Sequence, residues 1–326
     1  MIQTLPQGFQ MRHPMMDDLK AVHTVITTSD LAYHGSADIT LDDLRTDWLS
    51  PTFNMLKDAW LITGPAGQVV GYASTGQQEH ARIYSEILVL PEYSHLGLQD
   101  YLLAQVEQWA QEQVPQARPD ARVALSCFIA QGDEQSALSL QRHGFKEIRR
   151  SWNMEITMNE APAAPEWPAG ITVRTFRPGD ERVVFDTDEE AFQDHWGHMP
   201  GNFERWMHWT VERENFDPTL WFLAYEGDQI AGVSLCAYRD ELGWVDTLAV
   251  LRPWRRAGLG KALLQHSFGE FYRRGTRTVG LGVDAQNLTG ATRLYERVGM
   301  HVVRVYINYE KELRAGVELS TQEIVS

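Results

Sequence analysis

The chain carries two copies of one pattern. Pro6, Gly8 and Arg12 recur as Pro168, Gly170 and Arg174, displaced by 162 residues. Trp60, Gly71, Val89, Gly97, Leu102 and Leu103 recur as Trp221, Gly232, Val250, Gly258, Leu263 and Leu264, displaced by 161. Gly144, Arg149, Asn153 and Glu155 recur as Gly299, Arg304, Asn308 and Glu310, displaced by 155. The displacement drops by six where the first copy carries the longer segment QEQVPQARPDAR, as it does when a surface loop takes an insertion. Self-similarity across 326 residues calls for two like domains rather than one large one. Each, at about 160 residues, buries roughly 70% of its unfolded surface and needs neither disulfide nor metal to fold. Between the copies, MNEAPAAPEWPAG sets Pro162, Pro165 and Pro168 among alanines, the composition of a connector. The expected division is a first domain at 1–158, a linker at 159–170, a second domain at 171–313 and a polar tail at 314–326.

Apolar periodicity gives both copies the same order: an extended start, one or two helices, a hairpin, a central strand, a loop into a long helix, a strand, a short helix and a last strand. In the second copy the hairpin LWFLAYEGDQIAGVSLC turns at Glu226, Gly227 and Asp228, and Trp244 to Val250 forms the central strand. Ala262, Leu263, Leu264, Phe268, Phe271 and Tyr272 keep helical spacing up to Gly275. Thr278 to Val283 then reads as a strand and Thr289 to Gly299 as a helix. The fold class is α/β, each domain a mixed twisted sheet flanked by helices.

Composition narrows the function classes. Apolar residues make up 43% and charged residues 22%, ordinary globular usage that excludes a disordered, collagenous or coiled-coil chain. A net charge of -15 repels a phosphate backbone and argues against nucleic acid as a partner. Two cysteines, Cys127 and Cys236, supply neither a disulfide framework nor a cysteine zinc site, and point to a reducing cytoplasm. The N-terminus lacks a basic segment followed by an apolar core, and no stretch approaches 18 apolar residues, so neither signal-peptide export nor membrane insertion is expected. A monomer or homodimer is expected.

Charge is unevenly placed in the second copy. LAVLRPWRRAGLGKALL passes from strand to helix through Arg255, Gly258 and Gly260, and glycines at a helix start let amides and dipole hold an anion. From Arg252 to Arg277 seven basic residues (Arg252, Arg255, Arg256, Lys261, Arg273, Arg274, Arg277) face one acid, whereas Asp180 to Asp246 holds four basic and sixteen acidic residues. A polyanionic cofactor suits the first segment and a cationic co-substrate the second.

Taken together, LAVLRPWRRAGLGKALL, VGLGVDAQN and ATRLYERVGM resemble the core of the GNAT superfamily of acetyl-CoA-dependent N-acetyltransferases, across about Ile171 to Leu313 and more weakly in the first copy. The resemblance implies acetyl-CoA as acyl donor, with no metal. It also implies a pyrophosphate loop at Arg255, Arg256, Gly258, Gly260 and Lys261, an asparagine at Asn287, and amides near Leu248 and Val250 facing the thioester carbonyl. Tyr295 would be the acid that protonates the leaving thiolate. The tandem arrangement is similar to that of mycothiol synthases, which would make the acceptor a cysteinyl amine. The family's strand glutamate is Trp244 here, so an unspecified small-molecule primary amine is the broader expectation.

An alkyl amine is protonated at pH 7 down to about one part in a few thousand, a cost of roughly 4.6 kcal/mol that calls for a base and an acidic pocket. Asp246, two residues beyond Trp244 and on the same face of a regular strand, is the expected base. Glu190, Asp194, His195 and His198 in EEAFQDHWGHMP, with Trp196 among them, are its rivals for that role, from the segment that lines the acceptor site in relatives. The histidines there lack a matching second cluster for zinc, and the neighbouring Phe203, Trp206 and Trp209 suit an aromatic acceptor pocket or a packed helix. The first copy has Ser94, Gln99, Gly132 and Leu140 where the second has Arg255, Gly260, Asn287 and Tyr295, so it reads as a degenerate brace. A non-catalytic acyl-CoA sensor is the rival from another class.

Overall fold

The computed structural model describes residues 4–37, 39–287 and 290–322. The first copy runs β1 (Gln10–Arg12), α1 (Leu19–His34), α2 (Leu41–Trp48), α3 (Met55–Asp58), β2 (Ala59–Thr63), β3 (Val69–Gln78), β4 (Arg82–Val89), α4 (Leu98–Gln113), β5 (Val123–Ala130), α5 (Glu134–Arg142) and β6 (Lys146–Thr157). The second repeats the order as β7 (Ile171–Thr175), α6 (Glu181–Phe192), α7 (Phe203–Trp209), β8 (Trp221–Glu226), β9 (Gln229–Arg239), β10 (Leu242–Val250), α8 (Leu259–Arg273), β11 (Thr278–Asp284), α9 (Ala291–Arg297) and β12 (His301–Arg314). The short helix begins at Ala291; its expected start, Thr289, lies outside the described residues.

The repeat is visible in side chains. Arg12 grips Asp18 through two hydrogen bonds of 2.6 and 2.7 Å, and Arg174 grips Asp180 through two of 2.6 and 2.9 Å. Each bidentate pair ties the first strand of its copy to the helix that follows, a geometry arginine supports and lysine does not.

Compactness divides the chain into two units whose boundaries cross the repeat. One holds the chain up to Ser151 plus Arg304–Leu319; the other holds Trp152–Val303 plus the residues from Ser320. The copies exchange last strands. In the first unit the order is β1-β2-β3-β4-β5-β12, with β12 antiparallel to β5 and Tyr309 opposite Cys127. In the second it is β6-β11-β10-β9-β8-β7. Alternation drives this packing: Ile307 and Tyr309 of β12 join the first unit's core, while Met154 and Met158, flanking Ile156, join the second's.

Helices cover both faces of each sheet. In the second unit α8 buries Leu259, Leu263, Leu264, Phe268 and Phe271 on one face, each side chain contributing about 1.5–3 kcal/mol of transfer free energy. On the other face α6 packs Val184 and Ala191 against Trp221, Leu223, Val233 and Ala249. No helix among the described residues is long and apolar enough to cross a membrane.

Candidate active site

Beyond Val250 the chain makes a 3-10 turn at Arg252–Trp254, and Gly258 caps α8 at φ 88°, in the left-handed region. A Cβ there would meet nothing within 4 Å, so backbone conformation rather than crowding demands the glycine. Ala262 is the first helix amide to bond, donating to the Gly258 carbonyl at 3.0 Å. The amides of Leu259, Gly260 and Lys261 therefore point out of the positive end of α8. At Gly260 a Cβ would stand 3.5 Å from Leu294 and 3.6 Å from Val250. Loop, β10 and α9 converge at that point, and Tyr295 is the next residue along α9. Arg256 adopts φ 65°, which costs a residue with a side chain about 1–2 kcal/mol.

The basic cluster is more neutralised than its sequence implies. Arg252 Nε donates to Asp194 at 3.0 Å, and Arg255 NH1 reaches the same carboxylate at 3.1 Å. Arg255 also donates to the Val250 and Ala191 carbonyls at 3.0 and 2.9 Å. Asp194, expected at the acceptor site, is only 4% exposed, and the Arg252 hydrogen bond holds its carboxyl below the usual range despite burial. Arg273 and Arg274 pair with Glu270, and Arg274 also with Asp217. Arg256 and Lys261 are exposed on either side of Gly258.

The two central strands part at this level. β10 and β11 pair in parallel at Gly243↔Val279, Trp244↔Gly280 and Val245↔Leu281; both continue, but their described ladder ends there. On its other side β10 carries a bulge: Val245 faces Cys236 and Thr247 faces Leu235, adjacent residues, so Asp246 is the extra one. Simple alternation does not carry across a bulge, which is why Val245, Leu248 and Val250 all pack with the α8-side core. Leu248 and Val250 lie on the arm of β10 that diverges from β11.

Tyr295 is 8% exposed, and burial pushes its phenol up to about 12, so it remains protonated through the physiological range. Asn287 accepts from the Ala291 amide at 3.5 Å, at the entry to α9.

Asp246 lines a cavity of about 120 Å³ with Trp209, Phe216, Trp221, Arg213, Asp217 and Thr247 among others. Its carboxylate lies 3.3 Å from Arg239, whose guanidinium stacks on Trp244 at 4.0 Å. The buried Trp209 Nε1 finds no acceptor among the described residues. Of the other acceptor-side residues, Glu190 is exposed, and Trp196 donates to Gln322 at 2.8 Å. His195 stacks edge-on against Phe192, with burial first and Arg255 second pushing its imidazolium down. His198 approaches Glu189 at 3.7 Å and accepts through its carbonyl from the Thr321 amide at 2.9 Å. No group of three or more His, Cys, Asp or Glu among the described residues is placed to hold a metal ion.

Sequence reasoning passed over three features. The bulge has no residue signature. Asp188 reads as one more acid on α6, yet burial pushes its carboxyl up to about 7, with Glu189 adding to the shift and Trp206 opposing it. Glu155 belongs to the other copy in sequence and reaches this unit only through the strand exchange. A wider cavity of about 590 Å³ lies in the first unit along α4, lined by Trp60, Asp58 and Trp109 among others, and includes no residue of the Gly97 turn.

Comparisons with known proteins give the family and the fold. The profile of the Acetyltransferase (GNAT) family matches residues 184–300. A mycothiol acetyltransferase of Stackebrandtia nassauensis is 32% identical over 269 residues, covering 78% of this chain and 82% of that protein. One of Geodermatophilus obscurus is 31% identical over 266 residues, covering 75% and 80%. The crystal structure of a GCN5-related N-acetyltransferase from Sphaerobacter thermophilus superposes with a TM-score of 0.84 at 37% identity, covering 98% of this chain and all, 100%, of that one. A tandem GNAT protein from the clavulanic acid biosynthesis pathway shares the fold, with a TM-score of 0.74 at 16% identity over 95% of this chain and 100% of its own.

Proposed function

Because this chain belongs to the GNAT family of acetyltransferases and is an acetyl-CoA-dependent N-acetyltransferase, we propose that its second copy is the catalytic one and acetylates a primary amine of a small molecule. The observation that carries the proposal is the convergence at Gly260: helix amides, the diverging arm of β10 and the helix of Tyr295 meet within van der Waals distance. Acetyl-CoA supplies the activated acyl carbon. The amides of Leu259, Gly260 and Lys261, with Arg256 and Lys261, hold its diphosphate. Arg255 acts through Asp194, Ala191 and Val250, fixing the loop rather than offering its guanidinium to the ligand. Asn287 holds the entry to α9. Backbone amides at Leu248 and Val250 are directed at the carbonyl oxygen, and Tyr295 gives its proton to the departing sulfur.

Asp246, in the aromatic cavity and paired with Arg239, draws the ammonium toward the bulge. Trp209 and Trp221 suit a cation. Asp194 and His195 support the loop from beneath; Trp196 and His198 frame the acceptor segment, and Glu190 adds negative field at its rim. The 32% identity to a mycothiol acetyltransferase across 82% of that protein favours, as a second reading, a cysteinyl amine of a thiol sugar.

Thiol release from acetyl-CoA across a panel of primary amines, cysteinyl amines included, tests both readings. Turnover of a cysteinyl amine alone selects the second. Tight acetyl-CoA binding with no turnover of any amine would make the chain an acyl-CoA sensor instead.

A further inference from the structure

We propose that Glu155, delivered to the second unit by the exchanged strand β6, is the carboxylate that receives the proton of the acceptor ammonium, replacing the acid that Trp244 displaces from β10. The inference rests on the second copy being catalytic.

The register places Glu155 at the fork of the sheet. A Cβ built on Gly280 would stand 3.3 Å from Glu155 Cγ and 2.5 Å from the Trp244 ring; one built on Gly282 would stand 3.8 Å from Asn153 Oδ1. The Met158 amide donates to the Arg277 carbonyl at 2.7 Å. As β6 residue numbers fall, β11 numbers rise, the mark of an antiparallel pair. Alternation then sorts the faces. Val279, Leu281 and Val283 of β11, with Met154 and Met158 of β6, lie in the α8-side core. Gly280, Gly282, Asn153 and Glu155 lie on the opposite face, where both β11 positions are glycine. The Trp244 ring lies over Gly280 and the Glu155 side chain stands beside it, one residue short of where the described pairing of β10 and β11 ends.

The internal repeat provides a control. The first unit's counterpart of Glu155 is Glu310 of β12, opposite Ser126 on β5, and Arg122 neutralises it at 2.5 Å. Glu155 is half-buried, and its carboxylate makes no ion pair or side-chain hydrogen bond among the described residues. Among the described residues, the carboxylate at this place is thus paired in the first unit and unpaired in the second.

In the step, one ammonium proton passes to the Glu155 carboxylate and then to solvent. The freed nitrogen lone pair forms the C–N bond, and the C–S bond breaks with its electron pair on sulfur. Sulfur takes the Tyr295 proton, and the nitrogen's surplus proton returns to the tyrosinate. One amide, one thiol and one released proton balance the reaction.

The test compares Glu155→Gln, Glu155→Asp and Asp246→Asn in the full chain, with the amine that the parent acetylates fastest. The expected result for Glu155→Gln is a fall in kcat of roughly 100-fold, with acetyl-CoA affinity and Tm unchanged and partial recovery in Glu155→Asp. Asp246→Asn should chiefly raise KM. Near-parent kcat in Glu155→Gln, or the kcat loss appearing in Asp246→Asn instead, overturns the inference while leaving the second copy catalytic. Absence of turnover by the parent with every amine removes the underlying reading as well.

Discussion

Two strand-to-helix turns, built on the same repeat, differ at nearly every point where a nucleotide would touch them. Both helices start from a left-handed glycine, Gly97 at φ 74° and Gly258 at φ 88°. Beyond that the first turn has closed itself. Gln99, at the place of Gly260, is 7% exposed; Asp100, at the place of Lys261, is held by Arg142 at 2.8 Å and by Ser139. Leu140 fills the place of Tyr295 at 1% exposure. The partner strand differs too: β3 and β4 pair without a shift from Gly71↔Val89 to Gln78↔Arg82, whereas β9 and β10 are interrupted at Asp246. Scaffold and cofactor site are therefore separable properties of this sheet. A left-handed helix cap survives because the turn needs it; the second glycine, the basic flank, the bulge and the phenol have no structural substitute to preserve them.

The largest expected effect comes from erasing the chemical difference alone. Tyr295→Phe removes only the phenolic oxygen from α9, so turnover should fall roughly 100-fold or more while acetyl-CoA affinity stays near the parent value. Steady-state kinetics beside a binding titration separate the two, and parent-like kcat would leave the leaving thiolate without a donor. Next is the loop. Gly260→Gln copies the first turn into the second and places a side chain between Val250, Leu294 and the helix amides; acetyl-CoA affinity should drop about tenfold or more, the worth of one or two hydrogen bonds to a charged group. Calorimetry of the full chain should also return one acetyl-CoA per chain, and two equivalents would contradict closure of the Gln99 turn. Separating the halves is a poorer test, because a fragment ending at 158 lacks β12 and with it Ile307 and Tyr309 of the first unit's core.

Much of this comparison was already legible in the amino-acid order. Displacements of 162, 161 and 155 locate both copies, and the glycine pair with its arginines sets the second turn apart from the first. What the order concealed was pairing. Local periodicity describes a strand but not its neighbour, so β6 and β12 looked like last strands of their own copies although each completes the other unit. Charge counting likewise missed that Asp194 absorbs Arg252 and Arg255. The bulge at Asp246 was hidden as well: the extra residue reverses the faces of Leu248 and Val250 beyond it, while Asp246 and Trp244 still share Arg239 as a neighbour.

The smallest expected effect concerns the helix on the acceptor face. Displaced by 162, Asp188 of α6 matches Ile26 of α1, which is 4% exposed and part of an apolar core. In the second copy a carboxyl occupies that place, and burial pushes it up to about 7. A group raised in the folded state contributes stability that is complete below its unfolded value, near pH 4, and is lost as pH climbs through about 7. Asp188→Asn should remove that window: its Tm relative to the parent should rise between pH 5 and pH 8, by a few degrees. Asparagine keeps an acceptor for Trp206, which bonds to Asp188, whereas the first copy's isoleucine would leave that indole N–H buried without one. Asp188→Ile should therefore gain less at pH 8 than Asp188→Asn despite being more apolar, and equal pH slopes in parent and Asp188→Asn would show that the carboxyl is solvated after all.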